Sequence, residues 1–568
     1  MKQWIIKPKI SQDLISKFPE INPVILQLLS DRGLKEQKKI DEFLYPDYSQ
    51  DVHDPYHFSQ MKKAVDRVYT ARDKKEKVVI YGDYDADGVC GSAILARVLK
   101  KLGLNFEVYI PHRDTEGYGL NEKAINLLKD QLVNLIITVD CGVSNVSEIN
   151  LAKELGIEVI ITDHHHVPAK LPAALAIIHP QVDEKYPFKY LAGGGVAFKL
   201  AQAIIHDPRS KISQTSKEAM EKWLLDLVAI STIADMVPLL GENRTLVRHG
   251  LIVLARTKNL GLQKLIEVTG ISHKKIDTYT IGFQLAPRIN AAGRMAHANN
   301  AYQLLTTENI EEAITISHQL NKRNSERQQL TDKLIEEARN QLGEVKDDIP
   351  LLFAEGTGWS VGVIGLVSSK LTNEYARPSI VLSFDGEKYT ASGRSIEEFD
   401  LIEAITNFEE LLIRFGGHPG AAGFVIAKEN LEEFKRKITD YAREKLAGIK
   451  FLPKIFIDLE LFLKEINWEL IKALNQFEPF GEDNFRPHFL IKNLQITRVE
   501  KVGLDEKHIR MMVKDNDLER KVICFGFGGD ISKLKVNGRI DMVVEIGVNE
   551  WNGNQEIQLS LMDWKESV

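Results

Sequence analysis

The chain has 568 residues, of which 44% are hydrophobic and 27% are charged, and its formal net charge is −7 at pH 7. A single hydrophobic core stops growing at roughly 250 to 300 residues, so several domains are expected, and the composition excludes a disordered or fibrous chain. The negative charge argues against a protein that coats nucleic acid non-specifically, since such binding needs clustered lysine and arginine, but it leaves room for a local basic channel.

The N-terminal segment carries no sign of export. Its apolar stretch is short and interrupted by lysines, and no later segment approaches the roughly 18 apolar residues of a membrane span. Cys90, Cys141 and Cys524 lack the spacing of a zinc site or of a disulfide framework, which fits a reducing compartment. We therefore expect a cytoplasmic protein without a membrane partner. Residues 1–60 are expected to pack on the domain that follows them in the chain.

Between residues 77 and 180 the sequence alternates short apolar runs with helical patterns, which predicts a parallel sheet covered by helices on both faces. In such sheets, binding sites form outside the carboxyl ends of the strands. A further apolar run over residues 223–233 is typical of a buried helix. The predicted strands span residues 78–81, 106–110, 135–139, 159–162 and 175–178, and the predicted helices between them span residues 92–100, 124–129 and 147–154.

Three more regions follow in the chain. No glycine or proline interrupts residues 308–342, where apolar residues recur at helical spacing, so a long linking helix is predicted. A second, smaller α/β pattern ends in the glycine-rich run Gly416 to Gly423, and alternating strands after Pro453 indicate an OB-like β domain. The predicted fold class is therefore α/β. Its expected boundaries are 61–307 for the first α/β domain, 308–345 for the linking helix, 346–448 for the second α/β domain and 449–568 for the OB-like β domain.

Acidic residues and histidines follow the predicted strands of the first domain. Carboxyl ends of parallel strands meet at one edge of a sheet, and so many carboxylates in one cleft require a counter-charge. Oxygen ligands with one or two imidazoles suit Mn²⁺ better than Ca²⁺, and paired metal ions are a common device for hydrolysing phosphate esters. The residues concerned are Asp83, Asp85 and Asp87 after the first strand, Asp140 after the third, Asp163, His164 and His165 after the fourth, and Asp235 after the apolar helical run.

Each of these residues has a plainer explanation when it is taken alone. A single aspartate after a strand usually caps the next helix, and Asp83, Asp140 and Asp163 all have that position. His166 fits a solvent-exposed place, and Gly193-Gly194-Gly195 is equally a permissive turn or a set of amide donors for an anion. The coincidence of acidic motifs after several strands argues against capping alone.

The sequence around these residues resembles the DHH phosphoesterases. Asp163-His164-His165 is similar to the signature of that family, and the segment Asp83 to Gly88 resembles its first motif. Gly416 to Gly423 resembles the GGHxxAAG motif of the associated DHHA1 domain. Within the family, residues 110–119 and 287–295 are similar to the RecJ-type exonucleases. With the C-terminal β domain, the resemblance covers nearly the whole chain.

The resemblance implies two divalent metal ions, Mn²⁺ or Mg²⁺, with Asp140 as the bridge between them. His165 would face the scissile phosphate, and Asp163 would orient a histidine. One departure is Tyr81, because many relatives have a histidine there that binds metal in the pyrophosphatase branch, and tyrosine is a poor substitute at neutral pH. The implied ligands are Asp83, Asp85 and Asp140 for the first ion, and Asp87, Asp140, His164 and Asp235 for the second.

RecJ-type enzymes are understood to thread single-stranded DNA between the DHH and DHHA1 domains and to recognise its 5′ phosphate. Guanidinium groups suit that role because they offer paired donors to phosphate oxygens. For Lys322, Arg323 and Arg327 on the linking helix, solvated surface charge competes with a path for the strand. The substrate contacts implied by the motifs are Arg113, Ser392 and Arg394 for the 5′ phosphate, Arg288, Asn290 and Arg294 for phosphates near the cut, and His418 at the border of the cleft.

The implied activity is a 5′→3′ exonuclease that releases 5′-mononucleotides from single-stranded DNA in recombination and repair. A single-strand-binding protein and a helicase are the implied partners. One alternative is a DHH/DHHA1 phosphodiesterase acting on short oligonucleotides or cyclic dinucleotides, against which the additional β domain counts. The other is a non-catalytic scaffold, against which the retained carboxylates count.

Overall fold

The computed structural model describes residues 2–113, 115–272, 276–295, 297–551 and 553–567. The chain groups into two compact units. Unit 1 comprises Met1–Asp51, Pro238–Thr245 and Lys454–Val568. Unit 2 comprises Val52–Val237 and Leu246–Pro453.

The secondary structure of the first half of the chain follows the order predicted from the apolar patterns. Its elements are β1 (Gln3–Ile6), α1 (Gln12–Lys17), α2 (Pro23–Asp31), α3 (Gln37–Leu44), α4 (Tyr48–Asp51), α5 (Met61–Lys74), β2 (Lys77–Gly82), α6 (Ala86–Lys101), β3 (Asn105–Tyr109), α7 (Glu122–Asp130), β4 (Val133–Val139), α8 (Val146–Glu154), β5 (Glu158–Thr162), β6 (Ala176–Ile178), α9 (Gly193–His206), α10 (Gln214–Trp223), α11 (Leu225–Ala234), α12 (Gly241–Leu254), α13 (Leu260–Thr269), α14 (Ala286–Met295) and α15 (Asn299–Thr306).

The second half begins with a long helix and ends in strands. Its elements are α16 (Ile310–Leu342), β7 (Leu352–Thr357), α17 (Val361–Tyr375), β8 (Ser379–Phe384), β9 (Lys388–Arg394), α18 (Leu401–Thr406), β10 (Leu412–His418), β11 (Ala421–Ala427), α19 (Leu431–Lys445), β12 (Lys454–Ile457), β13 (Leu459–Glu460), α20 (Trp468–Asn475), β14 (Phe489–Val502), β15 (His508–Asp515), β16 (Leu518–Cys524), β17 (Arg539–Trp551) and β18 (Asn554–Glu566).

The first sheet of unit 2 is parallel throughout, in the order β3-β2-β4-β5-β6. Its inner strands are buried along almost their whole length, and α7 and α8 share one hydrophobic core with them. The predicted parallel sheet is confirmed. Because all five strands run the same way, their carboxyl ends lie along one edge, where β2, β4 and β5 lead into the acidic motifs.

Two predicted helices differ in their limits. α6 begins at Ala86, earlier than the pattern predicts, because the Asp85 side chain accepts hydrogen bonds from the amides of Asp87 and Gly88 and so caps the helix. The apolar run 223–233 divides at Leu224, where α10 ends and α11 begins. The early start of α6 brings the first acidic motif to the very edge of the sheet.

The linking helix α16 is confirmed as a continuous element of 33 residues, about 50 Å long at the usual rise per residue. Asn309 caps it by accepting hydrogen bonds from the amides of Glu311 and Glu312. The helix packs against α13 and α14 from the first half of the chain and against α17 from the second. It therefore connects the parallel-sheet domain with the second sheet inside unit 2.

The second sheet has the order β10-β11-β9-β8-β7, in which only β7 and β8 run parallel. The glycine-rich run forms the hairpin of β10 and β11. Glycine is required at Gly417, because a Cβ there would lie 2.5 Å from the Cα of Ala422. The pairing of β11 with β9 places Ala421 opposite Arg394 and Gly423 opposite Ser392.

Unit 1 contains a closed barrel. Strands β14, β15, β16, β18 and β17 pair in that order, and β17 pairs back to β14. This arrangement confirms the OB-like prediction. The predicted strand 455–457 is formed as β12, but it lies outside the barrel, where it pairs in parallel with β1.

The N-terminal helices complete the hydrophobic core of this barrel. Phe18, Leu28 and Phe43 belong to the same core as Phe489 and Met511. The sequence predicts that residues 1–60 pack on the catalytic domain, whereas the structure groups Met1–Asp51 with the C-terminal residues. The physical reason is that β1 supplies a partner for β12 and that the apolar faces of α2 and α3 fill the core of the barrel.

Arg244 links the separate segments of unit 1. Its side chain is buried, and the guanidinium donates hydrogen bonds to the carbonyl oxygens of five residues. The same group lies 4.0 Å from the centre of the Phe43 ring. Loss of these donors would leave buried carbonyl groups without partners, which is costly. The acceptors are Phe43, Gln476, Phe477, Glu478 and Pro479.

We predict that Arg244→Met lowers the melting temperature of unit 1 by several degrees, since breaking a buried hydrogen-bonded cation network costs about 3 kcal/mol or more. Differential scanning calorimetry of the full chain measures the effect. Arg498→Met, at an exposed barrel position, is the matched control and leaves the transition unchanged. Equal melting temperatures for the two variants would contradict the structural role of Arg244.

Candidate metal centre

The structure brings the acidic residues and histidines of the predicted site together at the carboxyl edge of the parallel sheet. They form three overlapping groups in which one ligand atom of each residue lies within 4.8 Å of the others. Asp140 belongs to two of these groups. The groups are Asp83, Asp85 and Asp140; Asp140, His164 and His165; and Asp87, His164 and Asp235.

His164 stands among three carboxylates. Its Nε2 atom lies 3.1 Å from Asp140 Oδ1, 3.4 Å from Asp235 Oδ2 and 3.7 Å from Asp87 Oδ2. Burial lowers the pKa of His164 to about 4, despite the neighbouring negative charge. The imidazole is therefore neutral near pH 7, which is the form that binds a metal ion.

The carboxylates repel one another. Burial, followed by the charges of neighbouring aspartates, raises the pKa of Asp83, Asp140 and Asp235 well above the usual value and raises that of Asp85 as well. One oxygen of Asp83 is buried without a hydrogen-bond partner among the described residues. An unpartnered buried oxygen and mutually repelling carboxylates are the conditions that a divalent cation satisfies.

Backbone amides fix the position of Asp87. Its two carboxylate oxygens each accept a hydrogen bond of 2.7 Å, one from the amide of Gly193 and one from that of Gly194, and Ser231 also donates to Oδ1. A Cβ at Gly193 would lie 2.5 Å from Asp140 Oδ1. The run Gly193-Gly194-Gly195 is thus the amino end of α9, which packs against Asp87 and Asp140. The sequence suggests either a permissive turn or a set of amide donors for an anion, and neither interpretation alone describes this contact fully.

Ser231, Gly193 and Gly194 all donate hydrogen bonds to Asp87. The sequence does not predict the contact of Ser231, and it leaves the role of the two glycines open. A run of three glycines directly before a buried helix is the available signal for Gly193 and Gly194. Nothing in the local sequence distinguishes Ser231 from any other serine in an apolar helix. Its role depends on the packing of α11 against α6 and α9.

Asp163 lies beside the cluster and orients its neighbours. Its oxygens accept hydrogen bonds from the amides of Val143 and His164, and Oδ1 lies 2.8 Å from Nδ1 of His165. Burial opposes ionisation of Asp163, but the hydrogen bond and charge of His165 outweigh it and lower the pKa to about 2. These contacts agree with the expected orienting role.

Tyr118 contacts the same nitrogen of His165 that faces Asp163. The tyrosine hydroxyl lies 3.0 Å from Nδ1 of His165 and donates to the carbonyl oxygen of Asp140. Burial opposes the charged imidazole, but Asp163 and the surrounding aspartates outweigh it and raise the pKa of His165. About a third of the His165 side chain remains exposed, so a ligand in the cleft can reach it.

Tyr81 does not stand in for a histidine ligand. It is fully buried, and its hydroxyl donates to the carbonyl oxygen of Gly119 while accepting from Asn121. Burial raises its pKa above the usual value. The residue therefore supports the segment that carries Tyr118 and leaves the first group of ligands with carboxylates alone.

Arginines gather next to the acidic cluster. The pKa of Arg294 is lowered to about 10 by burial and by the positive charges of Arg113, Arg327 and Arg394. Burial and Arg113 lower the pKa of Arg394, and burial and Arg327 lower that of Arg288. Five guanidinium groups under mutual repulsion would be stabilised by a neighbouring anion with several charges.

Two of the pocket residues predicted from the motifs lie side by side on β9. Arg394 donates to Ser392 Oγ at 3.2 Å and to the carbonyl oxygen of Gly393. The guanidinium of Arg113 lies 5.1 Å from the centre of the Tyr84 ring, next to the first acidic motif. Burial, and after it the charge of Arg113, lowers the pKa of Arg394, so the two guanidinium groups are close enough to repel each other.

For three candidate residues the structure adds a contact or a degree of burial that the sequence does not predict. Asn290 Oδ1 accepts a hydrogen bond of 2.7 Å from the amide of Ala86, so this side chain holds the start of α6. His418 is exposed at the end of β10. Arg327 is half-buried, with its Nε lacking a hydrogen-bond partner among the described residues, so solvated surface charge does not describe it.

Family models match three segments of the chain. The DHH family N-terminal domain matches residues 77–232, the DHHA1 domain residues 348–444 and the RecJ OB domain residues 457–563. Together with the clustered aspartates and histidines, these matches define a phosphoesterase of the DHH class that carries a DHHA1 domain and an OB domain.

The full-length comparisons are more specific. The chain is 39% identical, over 99% of its length, to the single-stranded-DNA-specific exonuclease RecJ of Bacillus subtilis (strain 168), of which it covers 70%. It is 32% identical over 86% of its length to the RecJ of Thermus thermophilus, of which it covers 69%. The chain belongs to the RecJ family.

Solved structures agree with this assignment. The crystal structure of RecJ in complex with Mn²⁺ from Thermus thermophilus matches all of this chain and 80% of that one, with a TM-score of 0.84 and 26% identity. The corresponding Mg²⁺ complex matches with a TM-score of 0.79 and 25% identity, covering 100% of this chain and 79% of that one. Both ions are therefore compatible with this fold.

We predict that Mn²⁺ raises the melting temperature of the protein more at about pH 8 than at about pH 5. The raised pKa values mean that protonation of the aspartates favours the folded state, and this stabilisation is lost as the pH rises through those values. A bound cation replaces the lost protons, so its effect grows with pH. Thermal unfolding in a matrix of pH and Mn²⁺ concentration measures the effect.

Asp140→Asn is the control for that measurement, because it removes the carboxylate shared by two groups of ligands. The variant should unfold at the same or a higher temperature than the parent without metal and should show a much smaller Mn²⁺ effect. A shift that is independent of pH, or that persists in full in the variant, would mean that Mn²⁺ acts elsewhere.

Proposed function

We propose that the protein is a 5′→3′ exonuclease that hydrolyses single-stranded DNA to 5′-mononucleotides and uses two divalent cations, Mn²⁺ or Mg²⁺. The observation that carries the proposal is that Asp140 belongs to two groups of metal-binding side chains beside a cluster of arginines. When bound, paired cations activate water and stabilise the attacking and leaving oxygens of a phosphodiester. The activity for which the relatives are named supports single-stranded DNA as the substrate.

The chain's own side chains fit such a pair. The ligands proposed for one cation are carboxylate oxygens alone, and those proposed for the other include the neutral imidazole of His164. This donor set suits Mn²⁺ and Mg²⁺. The unpartnered oxygen of Asp83 would gain a cation as its partner. The proposed ligands are Asp83, Asp85 and Asp140 for one cation, and Asp87, Asp140, His164 and Asp235 for the other.

His165 is proposed to donate a hydrogen bond to the scissile phosphate. Asp163 and Tyr118 hold its ring, and the raised pKa keeps the imidazole protonated to a higher pH than usual. A charged donor stabilises the negative charge that develops on the phosphate oxygens during hydrolysis. Asp163 acts through His165 and is a positioning residue.

Recognition of the strand end is assigned to Arg113, Ser392 and Arg394. Two guanidinium groups and a hydroxyl match the three free oxygens of a phosphate monoester, which occurs only at a strand end. A pocket at a fixed distance from the ligands of the cations would place the first phosphodiester of a 5′ end in position for hydrolysis. This arrangement supports 5′→3′ polarity.

Arg288, Arg294 and Arg327 are proposed to bind phosphates farther along the strand. Their guanidinium groups lie under mutual repulsion that a polyanion relieves. Asn290 supports the same surface by holding the start of α6, and His418 is proposed to border the cleft from the second sheet. The OB barrel of unit 1 favours long strands over the alternative of short oligonucleotides or cyclic dinucleotides.

A single-strand-binding protein and a helicase are the proposed partners, since single-stranded DNA in recombination and repair is produced by strand separation and is covered by binding proteins. No helix among the described residues is both long and apolar enough to cross a membrane. The location proposed for the protein is the cytoplasm, in keeping with three buried, unpaired cysteines.

Asp140→Ala is expected to lower turnover at least about a thousandfold, because losing a shared ligand exceeds the roughly 10- to 100-fold cost of losing an outer partner of a metal site. Release of mononucleotides from labelled single-stranded DNA measures it. Asp130→Ala, at an exposed position on α7, is the control. A folded Asp140→Ala protein with near-normal turnover would refute the paired-cation site.

Arg394→Ala should slow the cleavage of 5′-phosphorylated DNA by about tenfold or more and barely change the cleavage of DNA without the phosphate. The reason is that charge-assisted hydrogen bonds, worth about 1.5 to 3 kcal/mol each, exist only when the phosphate is present. Substrates labelled at either end measure rate and polarity together.

Arg414→Ala, exposed on β10, is the matched control for Arg394→Ala. Losses from Arg394→Ala and from dephosphorylation that add independently would show that the pocket lies elsewhere. Digestion of the labelled strands from the 3′ end would overturn the polarity.

A further inference from the structure

Two aromatic side chains, Tyr279 and Phe283, are exposed together on unit 2. Tyr279 is 59% exposed and Phe283 is 67% exposed. Their ring centres are 4.7 Å apart and their planes differ by 25°, so the rings are stacked. Single exposed apolar side chains are common on protein surfaces, whereas two adjoining exposed rings offer a flat apolar face to a ligand.

The local backbone holds both rings on one side. Residues Thr280–Leu285 form a π-helix, a rare element that is frequently found at functional sites. Asp277 fixes its start by accepting hydrogen bonds of 2.8 Å from both the amide and the hydroxyl of Thr280. A Cβ at Gly282 would meet Ile233 at an ordinary contact distance of 3.7 Å, so this helix packs against α11.

The surroundings of the rings connect them with the proposed active site. α11 leads directly to Asp235, and the next residue, Met236, is 68% exposed and has a φ angle of +58°, a strained backbone conformation for methionine. On the other side, Arg288 donates a hydrogen bond of 2.5 Å to the carbonyl oxygen of Gln284, the neighbour of Phe283. The element that carries the patch therefore packs against the helix that leads to a proposed metal ligand and is hydrogen-bonded to a proposed phosphate contact.

We propose that Tyr279 and Phe283 form a stacking platform for nucleobases of the single strand whose phosphates bind at Arg288 and the neighbouring arginines. The inference rests on the proposed function, because it takes the arginine cluster as the phosphate path. A ligand that offers negative charge and flat apolar faces at regular intervals is a single-stranded nucleic acid. Stacking tolerates every base, which suits an enzyme that must cut any sequence.

The test combines variants of the platform with DNA that lacks single bases. Binding of a fluorescent, 5′-phosphorylated oligothymidylate to the full chain is measured by anisotropy without divalent cations, so that the strand stays intact. One abasic residue is moved stepwise from the 5′ end. We expect wild-type protein to lose about tenfold in affinity at one or two abasic positions.

Phe283→Ala should lose about tenfold on the intact strand and little more when the abasic residue is at the sensitive position. Phe283→Trp should keep the affinity, whereas Phe283→Leu, which has no aromatic face, should lose it. Tyr279→Ala provides a second route to the same result. Tyr56→Ala is the control, since Tyr56 is 45% exposed but lies near Asp207 and Arg209, at the far end of α9 from the proposed metal ligands.

An abasic scan without a sensitive position would overturn the platform. So would Phe283→Ala protein that binds the intact strand as wild type does, because the ring would then contribute nothing to DNA binding. In both cases wild-type protein would still release mononucleotides from single-stranded DNA. Failure of the wild type to do so with Mn²⁺ would instead refute the proposed function.

Discussion

Repulsion between buried carboxylates at the carboxyl edge of the parallel sheet is the constraint on which the rest of unit 2 depends. The fold meets it with backbone amides: Gly193 and Gly194 each donate to Asp87, and Val143 donates to Asp163. These contacts explain why α9 begins where it does, since the positive end of a helix dipole favours a nearby anion. They leave other oxygens of the cluster, including one of Asp83, for a cation.

The separation of negative from positive side chains explains how a protein with a net charge of −7 can bind DNA. Charge is separated within unit 2, with aspartates at the strand ends and arginines on α14, α16 and β9. Arg294 is close enough to both sets for Asp85 and the other arginines to affect its pKa. A divalent cation on one side and a phosphate on the other would neutralise both halves together, so the binding of each should favour the other.

The sequence was sufficient to predict the parallel sheet, the linking helix and the barrel, since each depends on local periodicity. It also located the candidate metal-binding residues, because Asp83, Asp140 and His164 follow strands whose ends must meet at one edge. It failed where function depends on packing between distant segments. Ser231 has no local signature, and Arg327 resembles any surface charge until its burial beside α14 is known. The proposed roles of the substrate-binding residues remain predictions.

Unit 1 has a further consequence for how the chain folds during synthesis. Residues 1–51 leave the ribosome before unit 2, but the barrel strands that complete their core begin only after Lys454. Unit 2 can fold as it emerges, while α2 and α3 keep their apolar faces uncovered until the barrel arrives. A chain that stops before Lys454 would retain those exposed faces and be prone to aggregation or proteolysis.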